Sequence, residues 1–286
     1  VFFFPYRMVS GDDKFEETCK AIKNILFQYT EYILKNKEKA ELSGAFSGES
    51  SIIYTYELLY KLTNEEIYLE YAKKHVEILP YVLEKDNNFD ILLGNAGAIH
   101  ILLNLYEITK SDKYLKMAEN AAHYILDNAV KTDIGIGWKS NITVNPLAGF
   151  SHGVAGIASA LLRLSSLIKN ENILKGAIEA LKYEKSLFLP QYGNWCDMRE
   201  LQNATEEQIG RGPVAWCHGA SGILLSRMMM SKYTAFDLRD NLESEMDIAA
   251  ETTTNCGFNG THSLCHGDVG NLEILYDYAN LKKKKE

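Results

Sequence analysis

The tripeptide Cys-His-Gly occurs twice, at 217–219 and at 265–267, in a chain with only five cysteines. Two thiols and an imidazole suit a tetrahedral Zn²⁺, and three protein ligands leave a fourth position for water or substrate, the mark of a catalytic ion. Cys265 and His266 are consecutive, so both can face one centre from a turn but not from a regular helix. Each tripeptide precedes an apolar helical run, "ASGILLSRMMM" and "DVGNLEILYDYANL". The cysteines are therefore expected at helix N-termini, where free N–H groups and the helix dipole lower a thiol pKa. Ser151, just before His152, holds the same place in "GFSHGVAGIA". His218, beside Cys217, is an alternative ligand.

Positioning these residues falls to a repeated element. A glycine-containing turn followed by an apolar helical run appears five times, around Gly48, Gly97, Gly156, Gly222 and Gly270, at intervals of roughly fifty to sixty-five residues. Each interval holds two helices. After Gly156, Ile157, Leu161, Leu164 and Ile168 mark one helical face. A more polar second helix follows, as in "NEEIYLEYAKKHVEIL", "SDKYLKMAENAAHYIL" and "NENILKGAIEAL". Five prolines and little strict alternation leave scant room for sheet. The fold class is thus all-α, built of helical hairpins. If these wind about an axis, their turns gather at one end.

Composition excludes several functions. With 286 residues, 46% hydrophobic and 24% charged, the chain can bury a sizeable core. A net charge of −8 argues against nucleic acid as a partner. No stretch reaches the roughly 18 apolar residues of a membrane span, and the start lacks a secretion signal. A cytoplasmic protein is expected, because Cys19, Cys196, Cys217, Cys256 and Cys265 make a poor disulfide framework. Cys19, Cys196 and Cys256 read as structural, and His75, His100 and His123 as packing or surface residues.

"GFSHGVAGIA", "AWCHGASGI" and "HSLCHGDVGN", with the lesser pieces "FDILLGNAG" and "GNWCDMRE", resemble the lanthionine synthetase cyclases, or LanC-like proteins. The resemblance is greatest to the C-terminal cyclase domain of the bifunctional LanM-type enzymes and runs from about Gly44 to Asn280. It implies an α/α toroid of paired inner and outer helices with a zinc ion held by Cys217, Cys265 and His266, and catalytic roles for His152 and Asp90. The implied reaction joins a cysteine thiol of a dehydrated, ribosomally made precursor peptide to dehydroalanine or dehydrobutyrine, closing a thioether ring. Other readings are a LanC-like zinc module that binds peptide or glutathione without closing rings, or another zinc-thiol enzyme such as a prenyltransferase.

The chain departs from the family in two places. Where some members carry an arginine before the Trp-Cys pair, this sequence has Pro213, and the nearest arginine is Arg211. Five inner-helix motifs stand against the family's seven. Residues 1–286 are thus expected to be one cyclase domain whose toroid is incomplete, without its last hairpins and any N-terminal dehydratase domain.

Overall fold

The computed structural model describes residues 10, 13–140, 143, 145–199, 205–233 and 236–283. Twelve α-helices carry the fold among these residues: α1 (Glu16–Lys35), α2 (Glu49–Thr63), α3 (Glu66–His75), α4 (Leu79–Val82), α5 (Asn95–Thr109), α6 (Asp112–Asp127), α7 (Val154–Ile168), α8 (Glu171–Ser186), α9 (Glu206–Gly210), α10 (Ala220–Met230), α11 (Phe236–Cys256) and α12 (Asp268–Lys283). Among the same residues, sheet is confined to two antiparallel hairpins. β1 (Val130–Lys131) pairs with β2 (Ile136–Gly137), and β3 (Phe188–Leu189) with β4 (Asn194–Trp195). The expected all-α chain of helical hairpins is what the structure shows. No helix among the described residues is long and apolar enough to cross a membrane.

The chain divides into two compact units, Val1–Asn88 with Leu92–Ala121, and Phe89–Ile91 with Ala122–Glu286. In the first, α2 packs against α3 and α5, and α1 lies on α3. The outer helix expected over "NEEIYLEYAKKHVEIL" ends at His75. A 3₁₀ turn and the short α4, with Pro80 in its first turn, complete it. In the second unit α7 pairs with α8 and α10 with α11, while α10 also touches α7 and α12.

Burial separates inner from outer helices. Every residue of α7 from Val154 to Ser165 is buried, so that helix is covered on all sides. Its partner α8 buries only the stripe of Ile173, Ala177, Ala180, Tyr183 and Glu184. The joints are alike too, because α2, α5 and α7 each end on a left-handed residue: Asn64 (φ 56°), Lys110 (φ 57°) and Lys169 (φ 52°). The chain reverses there within two residues and starts the next helix.

The inner helices share a start signal. Gly94, Gly153 and Gly219 are the N-caps of α5, α7 and α10, and Gly97, Gly156 and Gly222 are the third helical residues. The first unit is out of phase with the alignment drawn from sequence, since Gly48 is itself the N-cap of α2 and Ser51 takes the third place. Counted from the cap, Phe46, Leu92, Ser151, Cys217 and Cys265 occupy one repeated position, two residues ahead of a glycine.

Candidate active site

Ser151, Cys217 and Cys265 at that position, with Ile91, build a backbone ladder in the second unit. Ile91 donates its N–H to the Ser151 carbonyl (3.2 Å), Ser151 to that of Cys217 (3.1 Å), and Cys217 to that of Cys265 (3.2 Å). The Ser151 hydroxyl adds a second bond to the Cys217 carbonyl at 3.3 Å. Such close stacking needs small residues. A Cβ on Gly149 would stand 2.6 Å from Nδ1 of His218 and 2.7 Å from the Cys217 carbonyl oxygen. Gly219 turns the chain at φ 78°, where a side chain is strained, and its Cβ would meet the Pro213 carbonyl at 1.8 Å.

The ladder brings two pairs of functional groups together. Nδ1 of His152 lies 2.8 Å from Oδ2 of Asp90, with the carboxylate almost wholly buried and the imidazole partly open. An ionised carboxylate only accepts, so Nδ1 carries the proton of this bond and the second ring nitrogen is the one left to exchange. Asp90 does not cap α5. Gly94 does, with no side-chain hydrogen bond.

The second pair is Cys217 and Cys265, both free and half-buried. The Cys265 sulfur lies close enough to act on the Cys217 thiol. Burial, together with the neighbouring Cys265 sulfur, pushes the Cys217 thiol up to about 11, against the opposing charge of Arg199. The thiol pKa expected to fall at a helix N-terminus therefore rises at Cys217. Burial and the second sulfur account for this, and the first amides of α10 are already engaged: Ala220 N–H donates to Oδ1 of Asn194 and Gly222 N–H to the Ala215 carbonyl.

His266 follows Cys265 but is exposed, its N–H directed at Oγ of Ser263 at 3.4 Å. Among the described residues no three or more His, Cys, Asp or Glu side chains converge in a metal-holding group. The structure thus joins two of the three expected donors and places the third beside them in the chain. His218, the alternative ligand, is 3% exposed and packed in the turn. Burial lowers its pKa, and its Nε2 is 3.9 Å from Oδ1 of Asp197.

Asp197 and Arg199 went unnoticed in the sequence. Arg199 Nε lies 2.9 Å from Oδ1 of Asp197 and its N–H 3.1 Å from the same oxygen, while Nη2 bonds Oδ2 at 2.5 Å. The carboxylate is buried and falls below its usual pKa, because the arginine fork outweighs a burial effect that alone would raise it. Arg211 pairs with Glu207 on the exposed surface, 3.1 Å away. Arg199, not Arg211, is the arginine whose charge reaches Cys217. The only sequence signal for it was the Asp-x-Arg spacing in "WCDMRE".

A family model described as lanthionine synthetase C-like protein matches residues 1–286. The chain belongs to that family. The all-α class that the sequence resemblance implied is the one the helices show. Among curated proteins, the lacticin 481/lactococcin biosynthesis protein LcnDR2 of Lactococcus lactis subsp. lactis is 27% identical over 259 residues. The match covers 84% of this chain and 25% of LcnDR2, so the chain spans about a quarter of that relative's length. Of solved structures, nisin cyclase aligns over 89% of this chain and 81% of its own with a TM-score of 0.45 and 17% identity. The GH76A alpha-1,6-mannanase from Salegentibacter sp. HEL1_6 aligns over 83% and 72% with a TM-score of 0.53 and 14% identity, a likeness of fold alone.

Proposed function

We propose that this LanC-like chain is the cyclase part of a lanthipeptide synthetase, adding a peptide cysteine thiol to dehydroalanine or dehydrobutyrine in a dehydrated precursor peptide. The observation that carries the reading is the ladder Ile91–Ser151–Cys217–Cys265, which stacks an Asp-His pair and a thiol pair in consecutive turns. Thioether formation needs both. The substrate S–H adds across C=C: sulfur bonds the β-carbon and a proton must reach the α-carbon. His152, oriented through Nδ1 by Asp90, has its other ring nitrogen to move that proton, and its partial exposure lets a peptide approach.

The donor chemistry fits zinc. The desolvated Cys217 thiol, with a second sulfur beside it, resists ionisation, and a thiophilic divalent cation is the partner that relieves this. Cys217, Cys265 and the adjacent His266 would hold it. When bound, it supplies Lewis acidity that lowers the pKa of a substrate thiol. Asp197, held by the Arg199 fork, faces His218 in the turn of Cys217. We place the protein in the cytoplasm, where its five free thiols stay reduced.

The test is incubation of the full-length protein and zinc with a dehydrated test peptide, followed by thiol alkylation and mass spectrometry. Cyclisation is expected to remove alkylatable thiol without changing peptide mass. Peptide that stays fully alkylatable, while still bound, would replace the cyclase with a peptide-binding module.

A further inference from the structure

Cys217 and Cys265 occupy the same place in successive turns, each two residues before a glycine and three before a helix. A backbone N–H···O bond of 3.2 Å joins the two residues directly. A single bond of this length limits the Cα separation to about 7 Å, given the covalent lengths on either side of it. A disulfide spans about 4.4–6.8 Å between Cα atoms. The Cys265 sulfur is close enough to act on the Cys217 thiol, and both residues are half-buried, open enough for a small solute to reach. The other rungs of the ladder, Ile91 and Ser151, carry no thiol to oxidise. The remaining cysteines are placed differently: Cys19 and Cys196 are buried, Cys196 with its sulfur against that of Met198 at 3.8 Å, and Cys256 ends α11 on the surface.

We propose that Cys217 and Cys265 form a redox-sensitive pair that closes to a disulfide on meeting a low-molecular-weight disulfide, and that closure withdraws both sulfurs from the site. The regulatory part rests on the cyclase reading; the chemistry of the pair does not. One cysteine sulfur attacks the small disulfide, forming a mixed disulfide and expelling one small thiolate. The other cysteine then attacks the protein-bound sulfur of that mixed disulfide and expels the second. Two protein thiols lose two electrons and two protons, and one small disulfide becomes two thiols. The two turns are already in register, so closure needs side-chain rotation rather than backbone movement. A divalent cation shared by the same sulfurs competes with the exchange, which couples redox state to metal loading.

The experiment incubates the native, zinc-stripped protein with oxidised glutathione and digests it without reductant. Mass spectrometry is expected to show a Cys217–Cys265 cross-linked peptide, a loss of two hydrogens from the intact chain, and reversal by dithiothreitol. Saturating zinc should slow the cross-link at least tenfold. Cys256→Ser should leave it unchanged, and Cys217→Ser should trap a glutathione adduct on Cys265 instead. Separate glutathione adducts on wild-type Cys217 and Cys265 without a cross-link would overturn the pair. A cross-link forming equally fast with and without zinc would overturn its regulatory role. Neither readout uses ring closure, so a failed cyclase assay and a failed redox assay are distinguishable.

Discussion

Asp90 and His152 lie 62 residues apart in sequence, yet their Oδ2 and Nδ1 atoms are 2.8 Å apart. The bond runs beside the backbone bond from Ile91 to Ser151, so side chains and main chain fix the same two turns against each other. Asp90 therefore sets both the tautomer and the orientation of the imidazole.

If His152 moves the proton, His152→Ala should slow ring closure by about two to four orders of magnitude while zinc content stays unchanged. Asp90→Asn keeps the shape and loses the charge. It should cost about 10–100-fold, the usual effect of an orienting carboxylate. Loss of alkylatable thiol in the peptide, read beside metal analysis of each variant, checks both. Closure at the parent rate in His152→Ala would make that residue a structural part of its turn.

Zinc is expected at about one ion per chain, as for any single Cys and His site. Cys217→Ala and Cys265→Ala should each abolish stoichiometric metal, and His266→Ala should weaken it. Full zinc in both cysteine variants would remove the proposed centre. Full zinc in His266→Ala alone would shift the third donor elsewhere, with His218 the nearest imidazole in sequence to Cys217.

Much of this arrangement was legible in the sequence, for identifiable reasons. Apolar helices behind glycine turns are visible because α5 and α7 are covered on all sides and admit little polarity. The phase of the first repeat was not visible, because glycine serves both as N-cap and as third helical residue in the later units, and the first has only Gly48. The thiol pair followed from two identical tripeptides, but its raised pKa depends on burial and on the second sulfur, which spacing alone does not reveal. Asp197 and Arg199 lie in a loop without periodicity. Only the fold brings them to His218.

Acid should expose the role of Asp197. Its carboxyl is held below its usual value, so its stabilising effect is complete above the unfolded pKa, near ~3.9, and is lost as pH falls through the lower folded pKa. Asp197→Asn should cost about 1–2 kcal/mol at pH 7, discounted because Arg199 reaches solvent. Thermal melts of both proteins should show a gap that is constant above about pH 5 and narrows as pH falls below ~3.9, closing only beneath the folded pKa. A gap that does not narrow at all between about pH 5 and about pH 2 would assign the loss to packing rather than charge.

The last expectation concerns what holds α10 in place behind Cys217. Arg227, 1% exposed on that helix, bonds the fully buried Glu184 of α8 and, through Nε at 2.7 Å, Glu245 of α11. Lys185 adds a partner to Glu245 at 3.1 Å from the solvent side. Buried charges in such a network stabilise little relative to apolar packing of the same volume, but removing one leaves the others desolvated and unpaired. Arg227→Met should therefore cost about 3–5 kcal/mol, whereas adding Glu184→Gln to it should recover part of that loss, because the deepest uncompensated carboxylate is then gone. Denaturant unfolding of the two single variants and the double variant measures the coupling. Since α10 starts three residues after Cys217, Arg227→Met should also weaken metal binding, and the double variant should restore some of it. Strict additivity of the two substitutions would mean that Glu184 and Arg227 do not act as a pair, and that α10 is held by its apolar face alone.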